Sequence, residues 1–262
     1  MINSNLRTHG KPPYLICVVH GGPGVAGEMA PVATRLASTL GVLEPFQTAD
    51  SVEGQIEELC CIIEESGILP VALIGYSWGA WLSWMTAARY PNLVKKLILV
   101  SSGPFEEKYS TGIQNMRMKR LNSQGRSEVV SLLKAIDESN ESDTTDLFAR
   151  FGTLMSKADT FDPIPEQKDI NCRFDIFQKV WPAASQMRAS GELIALAKYI
   201  QCPVTAIHGD YDPHPAEGVR ESLSKLLTEF RFILLEKCGH KPWVEKQVRD
   251  QFFEILLQEI NN

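Results

Sequence analysis

No two cysteines in this 262-residue chain stand at C-x-x-C spacing, so the sequence offers neither a zinc-ribbon nor a thioredoxin-like motif. The six present, Cys17, Cys60, Cys61, Cys172, Cys202 and Cys238, are scattered, and nothing ahead of them reads as a secretory leader. Reduced thiols in the cytoplasm are the expectation. Basic clusters are missing as well. Lysine and arginine total 26 against 32 aspartates and glutamates, a formal net charge of -6, and no segment gathers the cations that nucleic-acid binding requires. There is no internal repeat and no low-complexity segment. One stretch, Ser66 to Ala88, lacks charge and is long enough to span a bilayer. Gly67, Pro70, Gly75, Gly79 and four serines and threonines interrupt it, and its halves differ in period. It therefore predicts a buried strand feeding a buried helix, not a membrane span. What remains is an ordinary globular composition, 44% hydrophobic and 22% charged, long enough for one sizeable core.

Apolar runs of strand length alternate with apolar residues at helical spacing. Tyr14 to His20 is a β-branched run delivering the chain into a tight loop, His20-Gly21-Gly22-Pro23-Gly24. Met29 to Leu40 has helical spacing, and Gly41 to Phe46 reads as a weaker strand. Ser51 can cap a helix to Ser66 that carries Val52, Ile56, Leu59 and Ile63 on one stripe. Val71 to Gly75 is a strand, Trp78 to Tyr90 a helix stopped by Pro91, and Lys96 to Val100 another buried strand. Strands apolar on both faces must be covered on both sides, which predicts a mostly parallel sheet flanked by helices. From about Gly103 to Ser190 the rhythm fails: polar, helix-compatible segments such as Ser127 to Asp137 and Thr144 to Lys157 replace it. It resumes with a strand Val204 to His208, a helix Pro215 to Thr228, a strand Arg231 to Leu235 and a helix Val244 to Ile260. The expected organisation is a core of residues 1–102 and 191–262 with a helical insertion at 103–190.

Gly75-Tyr76-Ser77-Trp78-Gly79 is a G-x-S-x-G match between a strand and a helix, so Ser77 sits on the abrupt turn between them. Side chains at 75 or 79 would collide where strand and helix approach, and the turn strains the serine backbone. It also sets the Trp78 N–H at a helix start, where an oxyanion is favoured. A glycine-rich turn whose serine merely caps the helix is the bland alternative. Of the histidines His9, His20, His208, His214 and His240, only His240 follows the final strand, in a turn that would return it over Ser77. An imidazole base needs a carboxylate to fix its tautomer. The segment after Val204 to His208 offers two, Asp210 and Asp212. That same segment, His208-Gly209-Asp210-Tyr211-Asp212-Pro213-His214, alternates His and Asp as a metal site would. Pro213 and the lack of a further ligand cluster weigh against it.

With the HGGPG loop and the Ser77-Trp78-Gly79 elbow, the chain from about Tyr14 to Ile260 resembles the α/β hydrolases, in particular the proline iminopeptidase-like branch. The resemblance implies Gly22 as a second oxyanion donor beside Trp78, His240 as general base, and Asp212, at the family's G-x-x-D position, as orienting acid. Asp210 then serves neighbouring backbone, His20 supports the loop, and Glu106 or Glu107 is a less favoured acid. The insertion corresponds to a cap whose Met116, Met118, Phe148, Phe151, Met155, Phe174, Phe177 and Trp181 could line a pocket or simply pack helices together. Iminopeptidases hold a free amino group with cap acids, and Glu166, Asp169, Asp175 and Glu192 are available, although surface positions are their default. Arg117, Lys119 and Arg120 read as a solvated helix face.

Two departures stand out. Only some dozen residues precede the first buried strand, which leaves the amino-terminal strand pair reduced or absent and the sheet at about six strands. The chain after Pro45 also lacks the G-x-G-x-S loop of many relatives, which would widen the pocket mouth or leave it to the cap alone. The expected activity is hydrolysis of an ester or amide of a small molecule through an acyl-enzyme on Ser77. Iminopeptidase-like cleavage and C–C hydrolysis of a diketone are alternatives, and a receptor on the same scaffold is the non-enzymatic one. No cofactor, metal, nucleic acid or membrane is expected, and no oligomeric state is specified.

Overall fold

A computed structural model of the chain describes residues 5–138, 141–165 and 170–261. Glu166 and Asp169 lie outside these residues. The core opens with β1 (Leu6–His9), β2 (Tyr14–Val19), β3 (Val25–Ala26), α1 (Ala30–Leu36), β4 (Gly41–Pro45), α2 (Val52–Ser66), β5 (Val71–Tyr76), α3 (Trp78–Arg89) and β6 (Val94–Val100). Then come α4 (Ile113–Arg120), α5 (Ser123–Glu138), α6 (Glu141–Asp159), β7 (Asn171–Cys172) and α7 (Phe174–Ser190). The chain returns through α8 (Glu192–Ala195), β8 (Val204–Gly209), α9 (Glu217–Leu223), β9 (Phe230–Leu235) and α10 (Arg249–Asn261).

Seven strands form one sheet in the order β1-β4-β2-β5-β6-β8-β9. Only β1 runs antiparallel to its neighbour. The central strands β5 and β8 are buried at every position, as a sheet covered on both faces requires. On one face lie α2, α3 and α7; on the other, α1 and α10. Ser51 caps α2 by accepting the Gly54 N–H at 3.0 Å, and the expected stripe of Val52, Ile56, Leu59 and Ile63 is buried.

The expectation of about six strands is corrected to seven. Leu6–His9 is too polar to read as a strand, but Arg7 and His9 both reach the buried Glu44 of β4, at 2.9 and 2.7 Å. Antiparallel pairing with β4 and these side-chain bonds to Glu44, not apolar alternation, hold β1. Three helices are shorter than their periodicity implies, since Ala30–Leu36, Glu217–Leu223 and Arg249–Asn261 replace 29–40, 215–228 and 244–260. Before α10, Pro242–Val244 closes as a 3-10 turn that directs Glu245 inward. The segment between β6 and β8 is mostly helical and has its own cluster around Leu121, Val129, Leu132, Leu154 and Met155. Its two-residue β7 pairs with β3, Val25 opposite Cys172, a strand too short to leave a periodic signal. Among the described residues no helix is long and apolar enough to cross a membrane.

Candidate active site

Ser77 joins β5 to α3 with φ 52° and ψ -113°, a left-handed backbone that costs a non-glycine residue about 1–3 kcal/mol. The surroundings hold it there. Its N–H donates to the Val100 carbonyl at 3.0 Å, and its own carbonyl accepts the Ala80 N–H at 3.1 Å. Packing density explains the flanking glycine: a Cβ at Gly79 would run into the Val19 and His20 carbonyl oxygens, so only glycine lets α3 approach β2 this closely. That approach sets Trp78, the first residue of α3, beside the HGGPG loop. Gly22 of that loop adopts φ +45°, and Gly22, Ser77 and Trp78 line one cavity.

His240 arrives from the turn after β9. A Cβ at Gly209 would strike the Cys238 carbonyl, so glycine there lets the end of β8 close on this turn. His240 Nε2 lies 3.0 Å from Ser77 Oγ, and Nδ1 lies 2.6 Å from Asp212 Oδ2. An ionised carboxylate only accepts, so Nδ1 carries the proton and Nε2 turns its lone pair to the serine O–H. The Asp212 side chain is fully buried. Burial alone would raise its carboxyl, but the electrostatic pull of the neighbouring His240, His214 and His208 rings and the His214 hydrogen bond outweigh it. The result is a group held well below the usual carboxylate range.

The second Asp212 oxygen is also engaged. Oδ1 accepts from His214 Nδ1 at 2.7 Å and from the His214 backbone N–H at 2.9 Å. The His214 ring stacks on His240 with centroids 4.5 Å apart. Burial lowers His214 to about 4, against the pull of Asp212, so the ring is neutral near pH 7. The sequence reads His214 only as one of the alternating His and Asp side chains of the His208 to His214 segment, because it does not follow the final strand; the Asp212-Pro213-His214 spacing is the signal that sets it beside the acid. Ligand atoms of Asp212, His214 and His240 come within 4.8 Å of one another. Along the His208 to His214 segment, however, the side chains serve different partners. His208 Nε2 faces the His214 carbonyl at 2.8 Å, and Asp210 Oδ1 accepts the Cys238 N–H at 3.1 Å. The side chains of that segment are thus engaged by hydrogen bonds within it and to the turn after β9.

The other candidates fall out by contact. His20 is fully buried, with Nδ1 on the Gly21 carbonyl at 2.7 Å and Nε2 accepting the Gln47 N–H at 3.3 Å, so it braces the loop. Burial lowers its pKa, consistent with a neutral ring that donates once and accepts once. Glu106 bonds Ser222 and Lys108, while Glu107 bonds Ser110 and Arg188; neither reaches His240. Asp175 is paired with Arg173 at the surface, and Glu192 is exposed at the start of α8. Phe148, Phe151, Met155, Phe177 and Trp181 line the cavity; Met116, Met118 and Phe174 do not.

The cavity encloses about 630 Å³. Its apolar wall is a stack: Trp81 lies parallel to Trp181 at 5.9 Å, Trp181 to Phe177 at 6.0 Å, and Phe148 packs on Phe177 at 4.7 Å. Trp81 is pinned by its indole N–H to the Gly103 carbonyl at 3.1 Å. Among the described lining residues the acids are Glu28 and Asp159, and each is already paired. Glu28 meets Lys241 at 2.7 Å, and Asp159 meets Arg117 through two bonds of 2.8 and 2.6 Å. The solvated face expected for Arg117, Lys119 and Arg120 is therefore corrected: Lys119 is exposed, but Arg117 turns inward to Asp159. Arg120 lies 3.6 Å over the Tyr211 ring and donates to the Ala158 carbonyl. A helix spacing alone does not reveal that a facing segment brings a buried carboxylate.

Two acidic residues missed in the sequence position His240, Asp159 through its backbone carbonyl and Glu245 through its carboxylate. The Asp159 carbonyl accepts the His240 N–H at 2.8 Å. Glu245, fully buried, accepts the backbone N–H groups of Gly239 and Phe161 on one oxygen and of Asp162 on the other, at 2.8 to 2.9 Å.

Comparison with known proteins agrees with this geometry. The family model described as the α/β hydrolase fold matches residues 44–247. The crystal structure of VinJ superposes with a TM-score of 0.70 at 18% identity, covering 98% of this chain and 94% of VinJ. The meta-cleavage product hydrolase of Pseudomonas fluorescens IP01 gives 0.65 at 17% identity over 98% and 93% of the two chains. Among curated proteins, ethanol acetyltransferase 1 of Cyberlindnera jadinii is 33% identical over 60 residues, 23% of this chain. The match spans only 17% of that relative's length. A parallel sheet with a serine elbow, matched over most of its length by the family model, shows that this chain belongs to the α/β hydrolase fold family and is an enzyme of that family.

Proposed function

We propose that the protein is a serine hydrolase that cleaves an ester or amide of a small molecule carrying an apolar acyl group. The observation that carries this reading is the continuous series Ser77 Oγ, His240 and Asp212, at 3.0 and 2.6 Å, opening into a cavity walled by aromatic rings. His240 Nε2 takes the Ser77 proton as Oγ attacks the acyl carbon, and the Gly22 and Trp78 N–H groups receive the oxyanion. The leaving group departs with the proton from His240. Water then attacks the acyl-enzyme with His240 again as base, freeing the acid and Ser77. Asp212 stays ionised and fixes the tautomer. The insertion at 103–190 acts as the cap over residues 1–102 and 191–262. A cytoplasmic location is supported by six cysteines with no disulfide among the described residues.

Labelling with a fluorophosphonate tests the nucleophile. Wild type is expected to label and Ser77→Ala is not; an inert wild type would favour the receptor alternative. A series of p-nitrophenyl esters run beside prolyl-β-naphthylamide separates esterase from iminopeptidase. Ester turnover is expected, because Glu28 and Asp159 are committed to Lys241 and Arg117 and so are poor holders of a free amino group.

Acyl transfer to an alcohol is the second reading, favoured by the ethanol acetyltransferase match. It shares the acyl-enzyme and differs only in which hydroxyl His240 deprotonates next. Ethyl ester formed per acid formed, measured with added ethanol, distinguishes the two. C–C hydrolysis has the meta-cleavage product hydrolase as its fold precedent and is tested by absorbance loss of a diketone substrate.

A further inference from the structure

Asp212 holds two imidazoles, and only one of them has a part in the acyl transfer described above. Oδ2 takes His240 Nδ1 at 2.6 Å, and Oδ1 takes His214 Nδ1 at 2.7 Å. The two rings stack with centroids 4.5 Å apart and 28° between their planes. Each therefore turns Nδ1 toward the shared carboxylate and Nε2 to the side away from it. On that side His240 Nε2 meets Ser77 Oγ at 3.0 Å, and His214 and His240 both line the active-site cavity.

The state of the His214 ring follows from its partners. An ionised carboxylate only accepts, so Nδ1 carries the proton. Burial lowers the ring to about 4, which keeps it neutral near pH 7. Nε2 is then a lone-pair acceptor. Among the described residues no group donates to it: the hydrogen bonds of His214 are made by Nδ1, the backbone N–H and the carbonyl. The side chain keeps 13% of its surface open at the cavity wall.

We propose that His214 selects water over an alcohol as the second nucleophile, by accepting the proton that water has and an alcohol lacks. The inference rests on the acyl-enzyme on Ser77 proposed above. Rings 4.5 Å apart can share one water oxygen, because two hydrogen bonds of about 2.8 Å together span more than that. As the oxygen bonds the acyl carbon, one proton passes to His240 Nε2 and on to Ser77 Oγ while the C–Oγ bond breaks. The second proton stays on the oxygen, held by His214 Nε2, and leaves as the hydroxyl hydrogen of the released acid. An alcohol gives its only proton to His240. Its alkyl group then meets the His214 lone pair, and a site that hydrogen-bonds an O–H rejects the analogue lacking it.

Partition of the acyl-enzyme tests this, read as ethyl ester formed per acid formed from a p-nitrophenyl ester at a fixed ethanol concentration. That ratio does not depend on how much of a variant folds, and a merely structural role would slow both products alike. His214→Asn keeps a donor to Asp212 where Nδ1 stood and removes the acceptor; His214→Gln puts an acceptor oxygen where Nε2 stood. Asn should raise the ratio about five- to tenfold, the loss of one hydrogen bond to water, and Gln should return it toward wild type. A ratio that Asn leaves unchanged or lowers, or one that Gln raises as far as Asn does, overturns the selection and leaves the Ser77 chemistry standing. A wild type inert to fluorophosphonate and to the whole ester series, or a Ser77→Ala that still forms both products, overturns the acyl-enzyme and the selection with it.

Discussion

Replacing Asp212 with asparagine puts the reading of the Ser77 site at greatest risk. Both carboxylate oxygens are in use, yet they are loaded unequally. Oδ1 accepts two N–H groups, from the His214 ring and the His214 backbone, and Oδ2 accepts one, from His240. Asparagine has a single acceptor oxygen. Satisfying the two donors of His214 turns that oxygen to the Oδ1 side and leaves the amide N–H₂ against His240. His240 Nδ1 must then accept, its proton moves to Nε2, and Nε2 can no longer take the serine proton. A fall in kcat of about 10⁴ is expected, the size of a wrong-tautomer defect in a serine hydrolase. Adding His214→Ala removes one of the two competing donors and lets the asparagine oxygen swing toward His240. The double variant should recover about tenfold, one neutral hydrogen bond. Steady-state hydrolysis of a p-nitrophenyl ester by wild type, Asp212→Asn, His214→Ala and the double variant provides the measurement. Retention of more than about a tenth of wild-type kcat in Asp212→Asn, against the 10⁴ expected, would refute the assignment. A double variant slower than Asp212→Asn would refute the unequal loading.

Stability should carry the mark of His214. Its folded pKa of about 4 lies below the ordinary 6.5, so the unfolded chain takes up that proton first as pH falls. The stabilisation is complete above pH 6.5 and is lost down to about pH 4; at about 1.4 kcal/mol per pH unit the gap corresponds to about 3 kcal/mol. Urea unfolding at pH 7 and pH 4.5 should show a smaller loss in His214→Gln than in wild type, and equal losses would contradict the argument. Glu245→Gln sets an amide N–H₂ against one of three backbone donors, and a cost of about 2 kcal/mol should lower Tm by roughly 4–8 °C. Calorimetry reads that shift, and kcat should fall with it because Gly239 carries His240; unchanged Tm and kcat would speak against the clamp. Trp181→Ala removes the middle of the aromatic stack, so kcat/KM across p-nitrophenyl esters should shift toward longer acyl chains, with about tenfold loss on short ones. A uniform change across chain lengths would mean that the stack packs helices and does not hold the acyl group.

Much of this was legible from residue pattern because a parallel sheet leaves a strong local signature. Val71–Tyr76 and Val204–Gly209 are continuous apolar runs, and a serine between two glycines at a strand-to-helix junction has few structural uses. Positions that depend on a partner distant in sequence were not legible. Leu6–His9 looks like a polar tail until Glu44 is placed beside it. Arg117 looks like one cation of three on a helix until Asp159, 42 residues on, accepts two of its bonds. His214 carries no periodicity at all; only the three-dimensional sharing of one carboxylate draws it to the site. Local chemistry marks what a residue can do, and tertiary pairing decides which of several equivalent residues does it.

The segment between β6 and β8 consequently does more than line the cavity. His240 stands on a turn whose backbone N–H groups are received largely from outside it: the Asp159 carbonyl takes that of His240, and Glu245 takes that of Gly239. Glu245 at the same time takes Phe161 and Asp162, so one buried carboxylate ties the end of α6 to the histidine turn. Arg117 of α4 fixes Asp159 from the opposite side with two charge-assisted bonds. A chain of short bonds thereby links α4 and the end of α6 to the turn that carries the imidazole. A lid hinged freely at its base could open without disturbing Ser77 and His240; one anchored through Asp159 and Glu245 cannot.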